Sequence, residues 1–216
     1  MNILKLTGEI ELLSGLHIGG GDDTMKIGGI DNGVIKDINS DKPYIPGSSL
    51  KGKMRSLLEW DIGVVGVGDG NPFSSKIMKQ NDFPQDEKIQ KDAQTLLRLF
   101  GDKDGEHGIT RISVGDCYLT KDMQEKDKNG EIKLSEAKYE NVIDRQTGTA
   151  SNPRQTERVP AGVKFSFDIR VKILPEDEEE EFRAMIERGL ELIENDYLGG
   201  SGSRGYGRVR FIKDWE

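Results

Sequence analysis

Positively charged side chains are concentrated in three stretches of an otherwise acidic chain, and this pattern indicates binding of a polyanion. The 216 residues carry a net charge of −8, and the run from Glu176 to Glu181 is wholly acidic. By contrast, 46–58 and 198–213 contain several lysines and arginines and no acid, and 145–172 has six cations against two acids. Such clusters can form a local groove that attracts phosphates although the chain as a whole is acidic. Ordinary scatter of surface charge is the alternative.

The segment PGSSLKGKMR, which starts at position 46, has the composition of a phosphate site at the beginning of a helix. A helix N-terminus presents unpaired amides and the positive end of the helix dipole. Lys51 and Arg55 are four residues apart and share a face, whereas Lys53 points elsewhere. We expect these cations and Ser49 to contact phosphates. The alternative is a solvated amphipathic helix that Ser48 or Ser49 caps.

The loop GGSGSRGYG at 199–207 is the second candidate phosphate site. Its five glycines remove the Cβ atoms that would keep the backbone away from a phosphodiester. Arg204 can form a forked contact with phosphate oxygens, and Tyr206 can stack on a base or a sugar. We expect contacts from Gly200, Ser203, Arg204 and Tyr206. A tight structural turn is the alternative.

Composition excludes several classes of protein. The chain is 34% hydrophobic and 32% charged, and it has no apolar run long enough to span a bilayer. Its N-terminus, MNILKLTGEIELL, alternates like a strand and lacks the pattern of an export signal. Cys117 is the only cysteine and the histidines are His17 and His107, which argues against disulfides and structural zinc. We expect a cytoplasmic protein without a membrane partner.

Hydrophobic periodicity predicts a single α+β domain over residues 1–216. Apolar residues alternate with polar ones at 4–12 and at 164–173, which predicts two half-buried strands. Helical spacing follows Pro175 and the acidic run, at 182–193, and further helices are predicted at 50–58 and at 89–100, the latter ended by Gly101. Shorter strands are predicted at 111–119 and at 209–212. The order predicts a ferredoxin-like antiparallel sheet with helices on one face.

Three polar or Gly-rich stretches do not fit this sheet and are predicted to be insertions, at 19–46, 62–88 and 120–160. Loops of this length inside a compact domain are usually functional or disordered. We interpret the second as a lid-like insertion. We interpret the third as a protruding hairpin with an exposed tip near residues 151–153.

Five motifs in order give the chain a resemblance to a known family. They are GLHIGGG at 15–21, IGGIDNG at 27–33, PYIPGSSLKGKMRSLLE at 43–59, IDRQTGTA…PRQTERVPAG at 143–162 and GGSGSRGYGRV at 199–209. Together they span nearly the whole chain. The set resembles the RAMP (repeat-associated mysterious protein) superfamily of CRISPR proteins, and within it the backbone subunit of type III-A (Csm) effector complexes.

This resemblance implies a catalytic loop, a thumb and an RNA groove. It places an RNA-cleaving aspartate at Asp31, which can hold a divalent cation such as Mg²⁺ or position a 2′-OH for in-line attack. Asp22, Asp23 and Asp37 are the acids nearby that we expect to have no role. The stretch 143–162 corresponds to a thumb that displaces one base pair of the guide–target duplex, with Arg145, Arg154 and Arg158 on phosphates. His17 is expected to contact RNA.

The resemblance also implies the partners and the pattern of cutting. They are guide crRNA, complementary target RNA, further copies of the chain in a filament, and the other Csm-complex subunits: a large polymerase-like subunit, a small subunit and capping RAMP subunits. Identical protomers along a filament predict cuts at a regular interval, with base pairing supplying specificity.

Two other functions remain open from the sequence. One is a guide-processing RAMP endonuclease, which cuts by metal-independent acid–base chemistry, often with histidine. The other is a non-catalytic RNA-binding filament protein in which Asp31 has no role. An RRM is disfavoured because the chain lacks the aromatic RNP1 pattern.

Overall fold

The computed structural model describes residues 1–20, 32–65 and 70–216. In chain order its elements are β1 (Asn2–Leu12), α1 (Gly47–Ile62), α2 (Ser75–Met78), α3 (Glu87–Phe100), β2 (Ile112–Val114), α4 (Lys121–Lys128), β3 (Glu136–Ile143), β4 (Ala150–Arg158), β5 (Lys164–Ile173), α5 (Glu179–Asn195) and β6 (Val209–Trp215), with a single helical turn at Gly202–Arg204 before β6. None of the described helices is long and apolar enough to cross a membrane.

The main sheet has the strand order β2-β5-β1-β6, and all neighbours are antiparallel. The order and the single helical layer confirm the predicted ferredoxin-like α+β fold. The central strand β1 pairs with β5 from Asn2 to Glu11 and with β6 from Leu6 to Leu12. Antiparallel pairing brings side chains of the same face opposite each other, as in the buried pairs Leu6–Ile169 and Ile10–Phe165.

The core lies between one face of this sheet and helices α1, α3 and α5. The apolar positions predicted on the two long strands are the buried ones, and each fully buried Leu, Ile or Phe contributes about 1.5–3 kcal/mol of transfer free energy. Gly189 allows α5 to approach α1 closely, since a Cβ there would lie 2.4 Å from Cγ of Met54. Gly101 ends α3 with φ of 100°, as predicted.

The opposite face of the sheet is charged, and its charges are paired across strands. Lys164 contacts Glu9 at 3.2 Å, and Arg210 contacts Glu11 at 2.6 Å. In the described part of β1 and β5 the outward positions carry no aromatic side chain. This face therefore lacks the stacking platform that RRM sheets use for RNA, in agreement with the prediction from sequence.

Several predicted boundaries are wrong. The strand expected at 111–119 is continuous only over β2, because the chain leaves β5 near Gly115, pairs with Ile45 at Cys117 and returns to β5 at Leu119. The insertion at 62–88 does not behave as a lid in its described part, since Phe73, Ile77 and Phe83 are buried in the core. These contacts depend on distant neighbours that local periodicity does not report.

The stretch 120–160 contains α4 and the hairpin of β3 and β4, which we call the thumb. The expected tip at 151–153 is wrong, because these residues lie within β4 and are exposed along its edge. The turn lies at 144–149, where Oδ1 of Asp144 accepts hydrogen bonds from the amides of Gln146 and Thr147. An Asp that bonds the backbone two and three residues on is a common start of a turn.

One member of the acidic run is buried rather than solvated. Asp177 has no exposed side-chain surface and accepts hydrogen bonds from Arg111, with Nε to Oδ2 at 2.9 Å, and from the Leu174 amide at 2.9 Å. Burial raises the pKa of Asp177, but the hydrogen bonds from Arg111 and Leu174 outweigh it and the pKa is lowered. This ion pair joins the segment before α5 to the start of the edge strand β2.

We predict that Arg111→Met lowers the free energy of unfolding by about 3–5 kcal/mol, because it leaves a buried carboxylate unpaired. Since the folded-state pKa of Asp177 lies below its unfolded value, this contribution is present at neutral pH and lost as the pH falls through the folded pKa. Urea unfolding of the full chain measures the change. Lys126→Met, which breaks an exposed pair with Asp122, is the control and should leave the midpoint unchanged.

Candidate nucleic-acid interface

The Gly-rich loop lies against the chain that continues from β1. The Gly200 amide donates to the carbonyl of His17 at 2.9 Å, and the Gly207 amide donates to the carbonyl of Gly15 at 2.9 Å. Gly199 has φ of 75° and a Cβ there would lie 2.4 Å from the His17 carbonyl oxygen. Gly199 and Gly207 are therefore needed for packing within the protein, since a Cβ at Gly207 would lie 1.9 Å from the Leu198 carbonyl oxygen, and the Gly200 amide is not free for a phosphate. Ser203 remains exposed.

Tyr206 is fully buried, so the expected stacking on a base does not fit its position. Its hydroxyl donates to Oε1 of Glu140 at 3.1 Å, and its ring lies 4.4 Å from Nζ of Lys138 and 5.2 Å from Cζ of Arg158. Burial raises the pKa of Tyr206, and the hydrogen bond to the negatively charged Glu140 raises it further. The residue therefore joins the Gly-rich loop to the thumb.

An open cleft of about 420 Å³ lies between the thumb and the Gly-rich loop. Its lining includes Arg154 from β4 and Arg204 from the loop, which come from two separately predicted motifs. The side chain of Arg204 is 55% exposed and is held by Glu140 at 3.2 Å and by Ser201. Arg154 is exposed and its side chain has no partner among the described residues. Two forked cations at one cleft suit the phosphates of a nucleic-acid backbone.

The other thumb arginines differ in their surroundings. Arg145 is exposed in the turn of the hairpin, with no side-chain partner in the described part of the chain. Arg158 is engaged inside the protein, because it donates to Glu136 at 2.7 Å and covers the Tyr206 ring. It also packs on Gly15, where a Cβ would lie 2.4 Å from its Cδ. We infer that Arg158 supports the interface and that Arg145 and Arg154 face the ligand.

The thumb also carries exposed apolar side chains that sequence reasoning missed. Tyr139, Val142 and Ile143 are 67%, 49% and 56% exposed. Apolar and aromatic groups on a projecting hairpin suit contact with unstacked bases. Their concentration in one short exposed strand, β3, is visible only once the hairpin is known to lie outside the core.

The start of α1 offers a weaker phosphate site than its sequence predicts. The helix begins at Gly47 without a serine cap, so the expected capping by Ser48 or Ser49 is wrong. The Gly47 amide is already bonded to the Asp116 carboxylate at 2.8 Å, and the amides of Ser49 and Leu50 bond the Pro46 carbonyl. The negative charge of Asp116 at this end disfavours a phosphate in contact with these amides.

The three cations of α1 have different environments. Arg55 donates to Glu59 at 2.7 Å and to the carbonyls of Gly101 and Phe73, which makes it a structural residue and argues against the expected phosphate contact. Lys53 contacts Asp196 at 2.7 Å and lies 3.8 Å from the Tyr197 ring centroid. Lys51 has no ion-pair partner among the described residues, and its pKa is lowered by burial and by the charge of Arg55. Lys51 is therefore the cation of this helix best placed for a phosphate.

His17 lies where the Gly-rich loop, the thumb and the first insertion meet. Its Nδ1 donates to the carbonyl of Glu157 at 2.7 Å, which leaves Nε2 as an acceptor in the neutral form. The backbone amide of Glu157 in turn donates to the carbonyl of Asn32 at 2.9 Å. Asp31, Asp22 and Asp23 lie outside the described residues.

Asp37 lies within the described residues, and its carboxylate is hydrogen-bonded to its neighbours in the chain. Hydrogen bonds from Ser40 and Asn39 lower its pKa and fix its carboxylate within a turn. Within the described residues, no group of three or more His, Cys, Asp or Glu side chains could hold a metal ion. The described part of the chain therefore does not supply a metal site by itself.

Comparison with known proteins agrees with this architecture. The sequence model of the RAMP superfamily matches residues 9–210. The chain is 40% identical over 212 residues to the "CRISPR system Cms endoribonuclease Csm3" of Enterococcus italicus, covering 98% of this chain and 90% of the relative. It is 43% identical over 214 residues to the protein of the same name from Streptococcus thermophilus, covering 97% and 87%. The chain belongs to the RAMP superfamily and, within it, to the family of these Csm3 proteins.

A solved structure gives the same fold. One chain of the "Cryo-EM structure of the Type III-B Cmr-beta bound to cognate target RNA" superposes with a TM-score of 0.64 at 19% identity. The match covers 99% of this chain and 60% of the Cmr chain. At this identity the likeness supports the fold, and it agrees with the ferredoxin-like sheet described above.

We predict that Arg154→Ala and Arg204→Ala each weaken the binding of single-stranded RNA and flatten its salt dependence. Each lost phosphate contact with single-stranded RNA should reduce the slope of log K against log salt by about 0.7. Binding titrations at several salt concentrations measure this slope. Lys91→Ala, which removes a cation paired with Glu181 on the helical side, is the control and should bind as the parent does. Unchanged slopes in both arginine variants would contradict the assignment.

Proposed function

We propose that this chain is the repeated backbone subunit of a type III-A RNA-guided effector complex, which binds crRNA and cleaves complementary target RNA at regular intervals. The observation that carries the proposal is the cleft where Arg154 of the thumb and Arg204 of the Gly-rich loop meet. Relatives that match this chain at about 40% identity over nearly their whole length are named as an endoribonuclease of a CRISPR system. The two lines of support are independent, since one is geometric and the other is sequence similarity.

The proposal divides the interface into a grip and a cutting region. Arg204, Ser203 and Lys51 hold the guide backbone without reading its sequence, and base pairing between guide and target supplies specificity. The thumb, with Arg145 and its exposed Tyr139, enters the duplex and unstacks the bases next to one displaced pair, while Arg154 of β4 adds a phosphate contact to the grip beside Arg204. The unstacked backbone can then adopt the in-line geometry that cleavage needs.

Cleavage is proposed to use the RNA itself as the nucleophile. As the 2′-oxygen attacks the adjacent phosphorus, its proton passes to the Asp31 carboxylate. The bond from phosphorus to the 5′-oxygen breaks, and water protonates the leaving 5′-oxygen. The products are a 2′,3′-cyclic phosphate and a 5′-hydroxyl. Asp31 is the proposed catalytic residue, and its carboxylate positions the 2′-OH for this attack.

A divalent cation such as Mg²⁺ is part of the proposal for cleavage. Beside Asp31, the proposed ligands of this ion are RNA phosphates and water, and the described residues contain no group of three side chains that could hold it. The other proposed partners are target RNA, copies of this chain in a filament and the remaining Csm-complex subunits. We also propose a cytoplasmic location, where guide and target RNA are available.

A guide-processing endonuclease fits the described residues less well. Metal-independent acid–base cleavage of this kind needs a base and an acid on opposite sides of the phosphate. His17 has one nitrogen bound to a carbonyl, and His107 precedes β2, at the edge of the sheet opposite the Gly-rich loop. Within the described residues the two histidines therefore do not form a pair.

We predict that Asp31→Ala lowers target-RNA cleavage in the guide-loaded complex by roughly 10²- to 10⁴-fold, the range typical of a lost acid–base group. Target binding should be unchanged, because binding depends on phosphate contacts and base pairing. Single-turnover cleavage and binding assays on the same preparation separate the two effects. Asp37→Asn is the control from the same segment and should cleave normally. Normal cleavage by Asp31→Ala would refute the catalytic assignment while leaving the binding role intact.

We also predict that EDTA stops cleavage by the guide-loaded complex and that added Mg²⁺ restores it. Target binding measured in EDTA should persist, so that loss of cleavage is not loss of substrate. The measurement is the ladder of products on complementary RNA, whose spacing also reports the repeat of the filament. Cleavage that continues undiminished in EDTA would favour the guide-processing alternative.

A further inference from the structure

Glu157 has more contacts with separate parts of the chain than its place on an exposed hairpin would suggest. Its side chain is largely buried near the end of β4, where the thumb returns to the domain. Oε2 accepts a hydrogen bond from the Val34 amide at 2.9 Å. Oε1 accepts from Nζ of Lys36 at 2.8 Å and from the hydroxyl of Ser135. One carboxylate therefore binds two residues of the first insertion and the residue that precedes β3.

The backbone of Glu157 extends this set of contacts. Its amide donates to the carbonyl of Asn32 at 2.9 Å, and its carbonyl accepts from Nδ1 of His17 at 2.7 Å. The preceding residue, Thr156, forms a parallel bridge with Asn32. The side chain and the main chain of one residue thus join the thumb, the continuation of β1 and residues 32–36.

The start of the first insertion is also hydrogen-bonded to residues 33–35 at this point. The Ile35 amide donates to the carbonyl of Ile18 at 2.8 Å, and the Gly20 amide donates to the carbonyl of Gly33 at 3.3 Å. Asn32 directly follows Asp31 in the chain, and consecutive Cα atoms are about 3.8 Å apart. The contacts to Glu157 consequently begin at the residue next to the proposed catalytic aspartate.

The chemistry of Glu157 indicates a role beyond packing. Burial raises the pKa of Glu157, but hydrogen bonds from Lys36, Ser135 and the Val34 amide outweigh it and lower the pKa. Replacing a buried ion pair by apolar groups of similar size is often neutral or stabilising, so stability alone does not require a carboxylate here. A charged acceptor of three hydrogen bonds instead specifies one arrangement of the segments that supply its donors.

We infer that Glu157 is a positioning residue for RNA cleavage, which holds residues 32–36 in register with the base of the thumb. This inference rests on the proposed role of Asp31. The thumb sets which nucleotide is displaced, and Asp31 must meet the phosphate beside that nucleotide. A residue that binds both the thumb and residues 32–36 keeps these two segments at a fixed separation. Displacement of a reacting group by about 1 Å can cost about 10²-fold in rate.

The test is single-turnover cleavage by guide-loaded complexes that contain Glu157→Ala or Glu157→Gln. We expect Glu157→Ala to lower the cleavage rate by roughly 10- to 100-fold while the Kd for target RNA is unchanged. Glu157→Gln retains an acceptor for the Val34 amide and should recover most of the rate. A purely structural role would instead change thermal stability, complex assembly or target affinity along with the rate.

Lys36→Met supplies a second measurement if Glu157→Ala does not assemble. It removes one donor from the carboxylate, and it should lower the rate by a smaller factor than Glu157→Ala. The same change made in Glu157→Gln should have little further effect, since the ion pair is already absent. The matched control is Glu179→Gln, which removes a carboxylate paired with Arg183 at 2.9 Å on α5 and should cleave normally.

The outcomes separate this inference from the proposed function. If Asp31→Ala abolishes cleavage and Glu157→Ala and Lys36→Met both cleave at the parental rate, the positioning role is wrong and the catalytic role stands. If Asp31→Ala cleaves normally, the proposed function fails first. Equal losses of rate and target affinity in the Glu157 variants would make the residue part of the binding surface and would overturn the inference.

Discussion

The hydrogen bonding of the chain that continues from β1 is the constraint on which the rest of the structure depends. The Leu13 amide bonds the carbonyl of Arg208, the Leu16 and Val159 backbones exchange hydrogen bonds, and the His17 carbonyl accepts from Gly200. One short segment therefore fixes the Gly-rich loop on one side and the returning strand of the thumb on the other. Both sides of the proposed RNA groove are thus hydrogen-bonded to the chain that continues from the central strand.

The strands and helices that bury a regular face could be predicted from the sequence. Phe165, Phe167, Ile169 and Val171 alternate, and their burial in β5 follows from the period of two. The strand order followed from the sequence of elements together with the family resemblance. The boundaries that failed, such as the strand after Arg111 and the turn of the thumb, depend on which distant strand a residue pairs with. A local pattern carries no information on that choice.

The interface was harder to predict because its cations look alike in sequence. Arg55 and Arg158 form ion pairs with Glu59 and Glu136, and the hydroxyl of Tyr206 donates to Glu140, whereas Lys51 and Arg154 have no ion-pair partner among the described residues. The three acids lie 4, 22 and 66 positions from their partners along the chain. Sequence reasoning could not divide supporting residues from residues free to contact a ligand, since that division depends on which acid each side chain meets in the fold.

The two proposed activities have different physical requirements. In the proposed function, grip is a sum of phosphate contacts from Arg154, Arg204 and Lys51, and each adds a modest increment that salt screens. Cutting is not a sum, because in-line attack needs one carboxylate at one phosphate. The structure places a set of buried and partly buried hydrogen bonds around Glu157, beside the segment that follows Asp31, whereas Arg154 and Arg204 of the proposed grip are exposed. The fold therefore fixes the segments whose separation decides the rate more closely than the side chains that only attract the RNA backbone.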